Sequence, residues 1–272
     1  MTTTYALDRT ASEYERLRAQ ARVWEPATAR LLDAVGLRPG ARCLDAGCGP
    51  GETMRLMAER VGPSGSVVGV DLDADLGSQA VASLHAAGHR QCSFARVDVA
   101  ADEPIPGAPF DLVYARLLLY HLPARVEVLE RLWDVVAPGG VLLIQDYDVR
   151  SADVLPELES VTAWREVVRE AFLVAGADVY VGSRLPELFV RAGIGAVDGT
   201  DVAGRLEPFG TAGPGLLTGV LRGVLDAAIS HGVTTAADAA ALERRLASDA
   251  ERFPERPTLW PLLVGSWKRK PA

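Results

Sequence analysis

The chain has 272 residues, 49% of them hydrophobic and 24% charged, with 28 Lys and Arg against 36 Asp and Glu for a formal net charge of −8 at pH 7. Such proportions are globular and exclude a disordered or collagen-like chain, and the acidic balance has the wrong sign for a surface that tracks nucleic-acid phosphates. There is neither an apolar run of 18 residues nor a basic start followed by an apolar stretch, so no membrane span and no secretory leader are expected, and the expected location is the cytoplasm.

The N-terminal segment reads as helix, with Ser12 and Glu15 in capping-box spacing and Pro26 expected to split it into 12–24 and 26–35. Strands and helices then alternate. A strand over Ala41–Ala46 leads to a helix over Glu52–Val61, a strand over Val67–Val70 and a helix over about 74–87. Cys92–Val97 and Phe110–Ala115 are further strands. Pro123–Val136 places Val126, Leu129, Leu132, Trp133 and Val136 on one helical face, and Pro138-Gly139-Gly140 turns the chain into a fifth strand over Val141–Gln145. Short apolar strands alternating with helices predict a mostly parallel sheet with helices on both faces. Helices are expected over 153–175 and 184–192, and strands over Ala196–Val202 and Leu259–Trp267. Between those strands lie about fifty residues with helical pattern near 214–230 and 235–251, far more than a hairpin loop of about 2–5 residues requires.

The most informative stretch is Cys43-Leu-Asp-Ala-Gly-Cys-Gly-Pro-Gly-Glu52, set between a predicted strand and a predicted helix. Gly47, Gly49 and Gly51 permit a sharp turn and close approach of a ligand to backbone. A dinucleotide fingerprint needs glycine where Glu52 stands, and a P-loop needs a lysine, whereas the only lysines are Lys268 and Lys270. What remains is GxGxG preceded by Asp45, a carboxylate that repels a pyrophosphate and attracts an ammonium group. Asp71 ends the second strand 24 residues beyond Gly47, where a carboxylate can accept from both hydroxyls of a ribose. Asp98 ends the third strand and can accept from an adenine amino group. An ammonium, a ribose diol and an adenine without phosphate describe S-adenosylmethionine.

On these residues the sequence resembles the class I S-adenosylmethionine-dependent methyltransferases of small-molecule type. The motifs are LDAGCGPG (44–51), VVGVD (67–71), FDLVYARLLLYHL (110–122) and APGGVLLIQDYD (137–148). The resemblance implies a Rossmann-like, doubly wound α/β fold with a seven-stranded sheet whose last strand is antiparallel. It implies that Asp45, Gly47, Gly49 and Gly51 line the methionine end of the cofactor, Asp71 its ribose, Leu72 its adenine face, and Asp98 with Val99 its adenine edge, with Arg116 contacting the cofactor after the fourth strand. The segment 5–21 resembles the covering helix of such enzymes, which implies cofactor contacts from Tyr5 and Gln20. One methyltransferase-like domain over 1–272 is expected, with covering helices over 1–36, the cofactor core over 37–150 and helical caps over 151–180 and 207–257.

Candidates for chemistry on the acceptor follow the fourth and fifth strands, at the carboxyl edge of the sheet. His121 can take a proton from a hydroxyl or amine, or cap the helix that follows. Of Asp146, Tyr147 and Asp148, at least one is expected to face the acceptor. No metal site is expected: His85 and His89 are four apart on a helix but have no third ligand in view. Cys43 and Cys92 read as small core residues, and Cys48 matters through its backbone. The functional expectation is methyl transfer to a small-molecule acceptor, with secondary metabolism as its setting. The alternatives are a non-methylating rearrangement, decarboxylation or cyclisation on the same cofactor, or ligand binding without turnover. The 207–257 insertion is either a lid over the site or the contact of a homodimer.

Overall fold

The computed structural model describes residues 11–272, leaving aside the side chains of 11–13 and 212–214. The expected capping box at Ser12 and the expected contact of Tyr5 both fall outside what is described. Helix α1 (Ala11–Ala34) precedes the alternating core of β1 (Arg42–Ala46), α2 (Glu52–Val61), β2 (Ser66–Asp71), α3 (Ala74–Ala86), β3 (Cys92–Arg96), β4 (Phe110–Arg116), α4 (Arg125–Asp134) and β5 (Val136–Asp148). The remainder comprises β6 (Asp153–Val154), α5 (Glu159–Val174), α6 (Val181–Arg191), β7 (Gly199–Ala203), β8 (Leu206–Pro208), α7 (Phe209–Gly223), α8 (Leu225–Ser230), α9 (Ala236–Arg252), β9 (Pro257–Leu259) and β10 (Leu262–Arg269).

Seven strands form one sheet in the order β3-β2-β1-β4-β5-β10-β7, in which β10 runs antiparallel to both β5 and β7. The expected doubly wound sheet with an antiparallel last strand is therefore present. Side chains alternate between its faces. Leu44, Ala46, Val113, Ala115, Leu142 and Ile144 enter the larger core with α4, α5 and α6. Cys43, Leu112, Tyr114, Val141 and Leu143 enter the opposite core with Leu31, Leu32, Met54 and Met57 of α1 and α2. Burial on both faces explains why these strands read as continuous apolar runs rather than alternating ones. The strand order reverses at β1, with β2 on one side and β4 on the other, which opens a crevice at their carboxyl ends.

Several boundaries differ from expectation, those of α1, β5 and α5 for clear physical reasons, and the last strand begins at Leu262 because Leu259 is taken by β9. Helix α1 continues through Pro26 instead of dividing there. The ring removes one hydrogen bond, but Trp24, Leu31 and Leu32 on either side are almost wholly buried, and that packing holds the helix together. Strand β5 begins five residues early, because its opening residues cross a bulge between Phe110 and Leu112 and then bond to Lys270 near the chain end. The expected helix over 153–175 starts only at Glu159, since Asp153 and Val154 pair with Leu259 and Thr258 of β9. Strand β9 also pairs with β8, giving a second, three-stranded sheet that periodicity did not announce.

A tight joint against backbone lies between α6 and β5. A Cβ on Gly182 would stand 2.5 Å from the Asp146 carbonyl oxygen and 2.9 Å from the Tyr147 carbonyl, both backbone atoms that cannot swing aside. Gly182→Ala gains about 1 kcal/mol of intrinsic helix propensity, but overpacking against backbone costs about 1–3 kcal/mol or more. The clash is expected to win, lowering the urea midpoint, with Gly215→Ala, an exposed position of α7 where a Cβ meets nothing within 4 Å, as the helix-propensity control.

Candidate active site

The loop between β1 and α2 begins as the strand leaves the core. Gly47, Gly49 and Gly51 have φ of 71°, 48° and 81°, the left-handed region that L side chains avoid. The Gly47 and Cys48 amides both donate to the Val70 carbonyl, at 2.8 and 3.0 Å, which ties the loop to β2. A Cβ on Gly49 would meet nothing within 4 Å, so this stretch of backbone faces open space. The Gly49 amide donates to Asp71 Oδ2 at 2.9 Å, and the Asp73 amide to Asp71 Oδ1 at 3.0 Å. Each Asp71 oxygen thus takes one backbone bond and keeps acceptor capacity for a ligand. Burial nevertheless pushes the Asp71 carboxyl above its ordinary range.

Asp45 is the most perturbed acid beside the loop. It is 2% exposed, and its Oδ2 has no hydrogen-bond partner among the described residues. Burial pushes its carboxyl up to about 7 against the opposing pull of the Arg116 charge, and Asp71 raises it further. An orphaned carboxylate oxygen beside glycine backbone in open space fits the ammonium end of S-adenosylmethionine, and the half-used Asp71 oxygens fit its ribose diol.

These residues line one cavity together with Gln20, Leu72, Asp98, Val99, Arg116 and His121. Of the sequence-derived cofactor residues that the structure describes, all but Gly51 line this cavity; Gly51 instead packs against α3, where a Cβ would stand 2.9 Å from the Ala80 side chain, so its glycine serves the turn and that close approach. Asp98 uses one carboxylate oxygen on the Ala100 amide, at 2.9 Å. Arg116 turns its guanidinium to Thr28 Oγ1 at 3.0 Å, and Thr28 donates in turn to the buried Gln145 side chain. Sequence reading passed over three contributors. Tyr14 donates from α1 to the Asp73 carboxylate and closes the cavity from above, Arg16 joins the wall, and Leu117 stands just beyond β4. Leu117 has φ of 54°, a left-handed conformation that costs a side-chain-bearing residue about 1–3 kcal/mol and is a common form of strain at functional sites. No sequence signal marks that strain, since nothing about leucine announces it.

A second cavity adjoins the first and shares Arg16, Gln20 and Tyr120 with it. Its wall is largely apolar, with Tyr147 and Val149 from the end of β5, Trp164, Val168 and Phe172 from α5, and Leu216, Leu217 and Val220 from α7. The 207–257 insertion is thus folded against its own chain at this wall. The Tyr147 hydroxyl oxygen accepts from Gln20 Nε2 at 2.8 Å and from Trp24 Nε1 at 2.6 Å, leaving the phenol's own hydrogen for a third partner. Burial raises the Tyr147 hydroxyl above its ordinary range, so it is a neutral phenol at neutral pH.

Asp146, expected beside the acceptor, lines neither cavity. Its carboxylate takes the Tyr147 amide at 3.0 Å and the Tyr120 amide at 3.2 Å, and burial pushes it up to about 7. It fastens the turn after β4 to β5. Asp148 is likewise engaged, with Arg150 and Ser183. His121 lies in the cofactor cavity, stacked on Tyr120 with ring centroids 3.7 Å apart. Burial, with the charges of Arg16 and Arg125, pushes its imidazole down to about 3, so it is neutral through the physiological range. Burial raises the Cys48 thiol well above normal, which disfavours a thiolate. His85 bonds the Cys92 carbonyl at 2.8 Å, a packing role.

The model of the methyltransferase domain family matches residues 14–193. Among curated relatives, trans-aconitate 2-methyltransferase of Paracidovorax citrulli is 35% identical over 147 residues, covering 53% of this chain and 54% of that protein. Nocamycin O-methyltransferase of Saccharothrix syringae is 35% identical over 133 residues, covering 49% and 46%. The chain spans about half the length of the curated relatives it matches. Among solved structures, a Bacillus halodurans C-125 protein superposes with a TM-score of 0.61 at 18% identity, covering 90% of this chain and 99% of that one, a likeness of fold. With its glycine cradle, its orphaned acid and the family match across two thirds of its length, the chain belongs to the S-adenosylmethionine-dependent methyltransferase family.

Proposed function

We propose that this chain transfers the methyl group of S-adenosylmethionine to an oxygen of a small-molecule acceptor held in the second cavity. The observation that carries the reading is the junction of the two cavities at Arg16, Gln20 and Tyr120. One chamber carries the glycine cradle and the partnerless Asp45 oxygen, and the other is apolar and abuts it. When bound, the cofactor supplies an electrophilic methyl on a sulfonium, so the chain's tasks are alignment and exclusion of water. Helix α1 covers the first chamber, with Tyr14 fastened to Asp73 and Gln20 to Tyr147. Helices α5 and α7 cover the second, which supports reading the insertion as a lid.

The electrostatics favour an acceptor that brings its own nucleophile. His121 resists protonation, Tyr147 is a neutral phenol, and the Asp146 carboxylate is spent on backbone amides. None of them is a strong base at neutral pH, so an aliphatic alcohol is a poor substrate. A carboxylate or an acidic hydroxyl is nucleophilic without help, and the Arg16 guanidinium at the junction favours its anion. The Tyr147 hydroxyl is placed to donate to the acceptor and position it. Oxygen methylation agrees with the name of the nocamycin O-methyltransferase relative, and a small-molecule acceptor of this kind is in keeping with a place in secondary metabolism. The protein's acidity disfavours a nucleic-acid acceptor, and no described helix is long and apolar enough to cross a membrane.

The direct experiment incubates the protein with methyl-labelled S-adenosylmethionine and panels of phenols, enols and carboxylic acids. Label on oxygen supports the reading, and failure of the protein to bind S-adenosylhomocysteine at all sinks it. Asp45 generates a pH dependence of known sign. Burial holds its carboxyl at about 7 in the free protein, and a bound ammonium favours the ionised form, so binding below that value must expel a proton. Affinity for S-adenosylhomocysteine in calorimetry is expected to fall by up to about tenfold per pH unit below 7 and to level off above it. Asp45→Asn is expected to abolish that slope and weaken binding at pH 8 by about ten- to a hundredfold, the weight of one charge-assisted hydrogen bond. Tyr147→Phe is expected to leave cofactor affinity within about twofold while slowing methyl transfer by about ten- to a hundredfold, through lost positioning.

A further inference from the structure

The second cavity is apolar, yet two residues of its wall each carry a buried polar side-chain atom without a partner. Thr258 and Trp260 both line it, each is 5% exposed, and Thr258 Oγ1 and Trp260 Nε1 make no hydrogen bond among the described residues. Their backbones are fully committed. Thr258 is locked between Val154 and Glu207 in the three-stranded sheet, and Trp260 donates its amide to the Arg205 carbonyl at 3.0 Å and receives Ser151 Oγ on its own carbonyl at 3.2 Å. Trp260 is also fixed edge-on against Trp24, with ring centroids 6.3 Å apart at 84°. The other indole in the wall behaves differently, since Trp164 Nε1 donates to the Leu217 carbonyl at 2.7 Å. A rigid donor left unsatisfied in an apolar wall costs stability unless a ligand completes it.

The charges of the same wall limit what that ligand is. Arg165 already holds Asp153 at 2.8 Å and Glu157 at 3.5 Å, and Arg169 holds Glu170 at 2.9 Å. The remaining guanidinium of the wall is that of Arg16 at the junction, which donates to Gln20 Oε1 at 3.2 Å, so a tricarboxylate would set three negative charges against one cation. We infer that the acceptor is an apolar ring compound with a carbonyl-type oxygen, that Thr258 Oγ1 and Trp260 Nε1 are the donors that read this oxygen, and that a tricarboxylate is not the substrate. The inference rests on the reading above that this cavity receives the acceptor. It parts company with the trans-aconitate relatives, whose matching region spans only about half of either protein.

The test uses the full chain saturated with S-adenosylhomocysteine, with three probes compared by calorimetry at pH 7. They are a hydroxytetralone, the tetrahydronaphthol of the same ring size that lacks the ketone, and trans-aconitate. The hydroxytetralone is expected to bind about tenfold more tightly than the tetrahydronaphthol, the weight of one or two hydrogen bonds in a dry wall. Thr258→Val and Trp260→Phe are each expected to collapse that preference to about twofold or less while S-adenosylhomocysteine binding, measured first, certifies the fold. Trans-aconitate is expected to bind more weakly than either ring compound. Equal binding of the two ring compounds, no binding of either, tighter binding of trans-aconitate, or a preference that survives both substitutions overturns the inference. Because cofactor binding is measured separately, its loss in the unmodified protein would sink the methyltransferase reading, whereas its presence with a failed probe series sinks only this assignment.

Discussion

A carboxylate taken out of water at the end of β1, with one oxygen left unanswered, is the constraint around which the rest of the site is organised. Burying Asp45 in that way opposes folding, and the fold tolerates it because the flanking strands β2 and β4 are held by unbroken parallel pairing on both sides. The glycine turn that follows keeps side chains away from the same oxygen, and the Gly49 amide fixes the Asp71 carboxylate in turn. The loop that begins at Asp45 is thus tied to Asp71 through one backbone amide, so the two carboxylates proposed to meet the methionine and ribose ends of the ligand are positioned by one connected piece of backbone.

Cover over that piece comes from elsewhere in the sequence. Helix α1 reaches across the carboxyl edge of the sheet and is tied down at three depths: Tyr14 to the β2–α3 turn, Gln20 and Trp24 to Tyr147, and Thr28 to Gln145. Only the first of these bonds touches the loops of the first cavity, while the second set reaches the cavity proposed to receive the acceptor. One helix therefore registers the two chambers against each other, and the residues shared between them, Arg16 and Gln20, lie on it.

Much of the cofactor half was legible because its determinants are local. A glycine at positive φ, an acid at a strand end and a helix start leave a spacing that survives in sequence, and the α2 boundaries Glu52–Val61 match the reading from periodicity. The acceptor half was less legible because its determinants are distant in sequence. Asp146 and Tyr147 are neighbours with opposite fates: alternation along β5 turns Tyr147 to the cavity and Asp146 to backbone amides, and a strand buried on both faces has no apolar-polar alternation from which to tell the two apart. The unbroken course of α1 through Pro26 and the short β6-β9-β8 sheet likewise depend on packing and pairing between remote segments, which override local propensity. The strained backbone at Leu117 belongs with these, since a left-handed leucine is imposed by its surroundings.

The small sheet has a further meaning for how this molecule diversifies. Its strands are drawn from the connection after β5 and from the two ends of the helical insertion, and none of them contributes to the seven-stranded sheet. Substitutions in β6 and β9, which line the second cavity, can therefore reshape that cavity while the glycine loop beside Asp45 and Asp71 is left untouched. The wall of one chamber can thus be altered on a miniature scaffold that hangs beside the main sheet without disturbing its strand pairing.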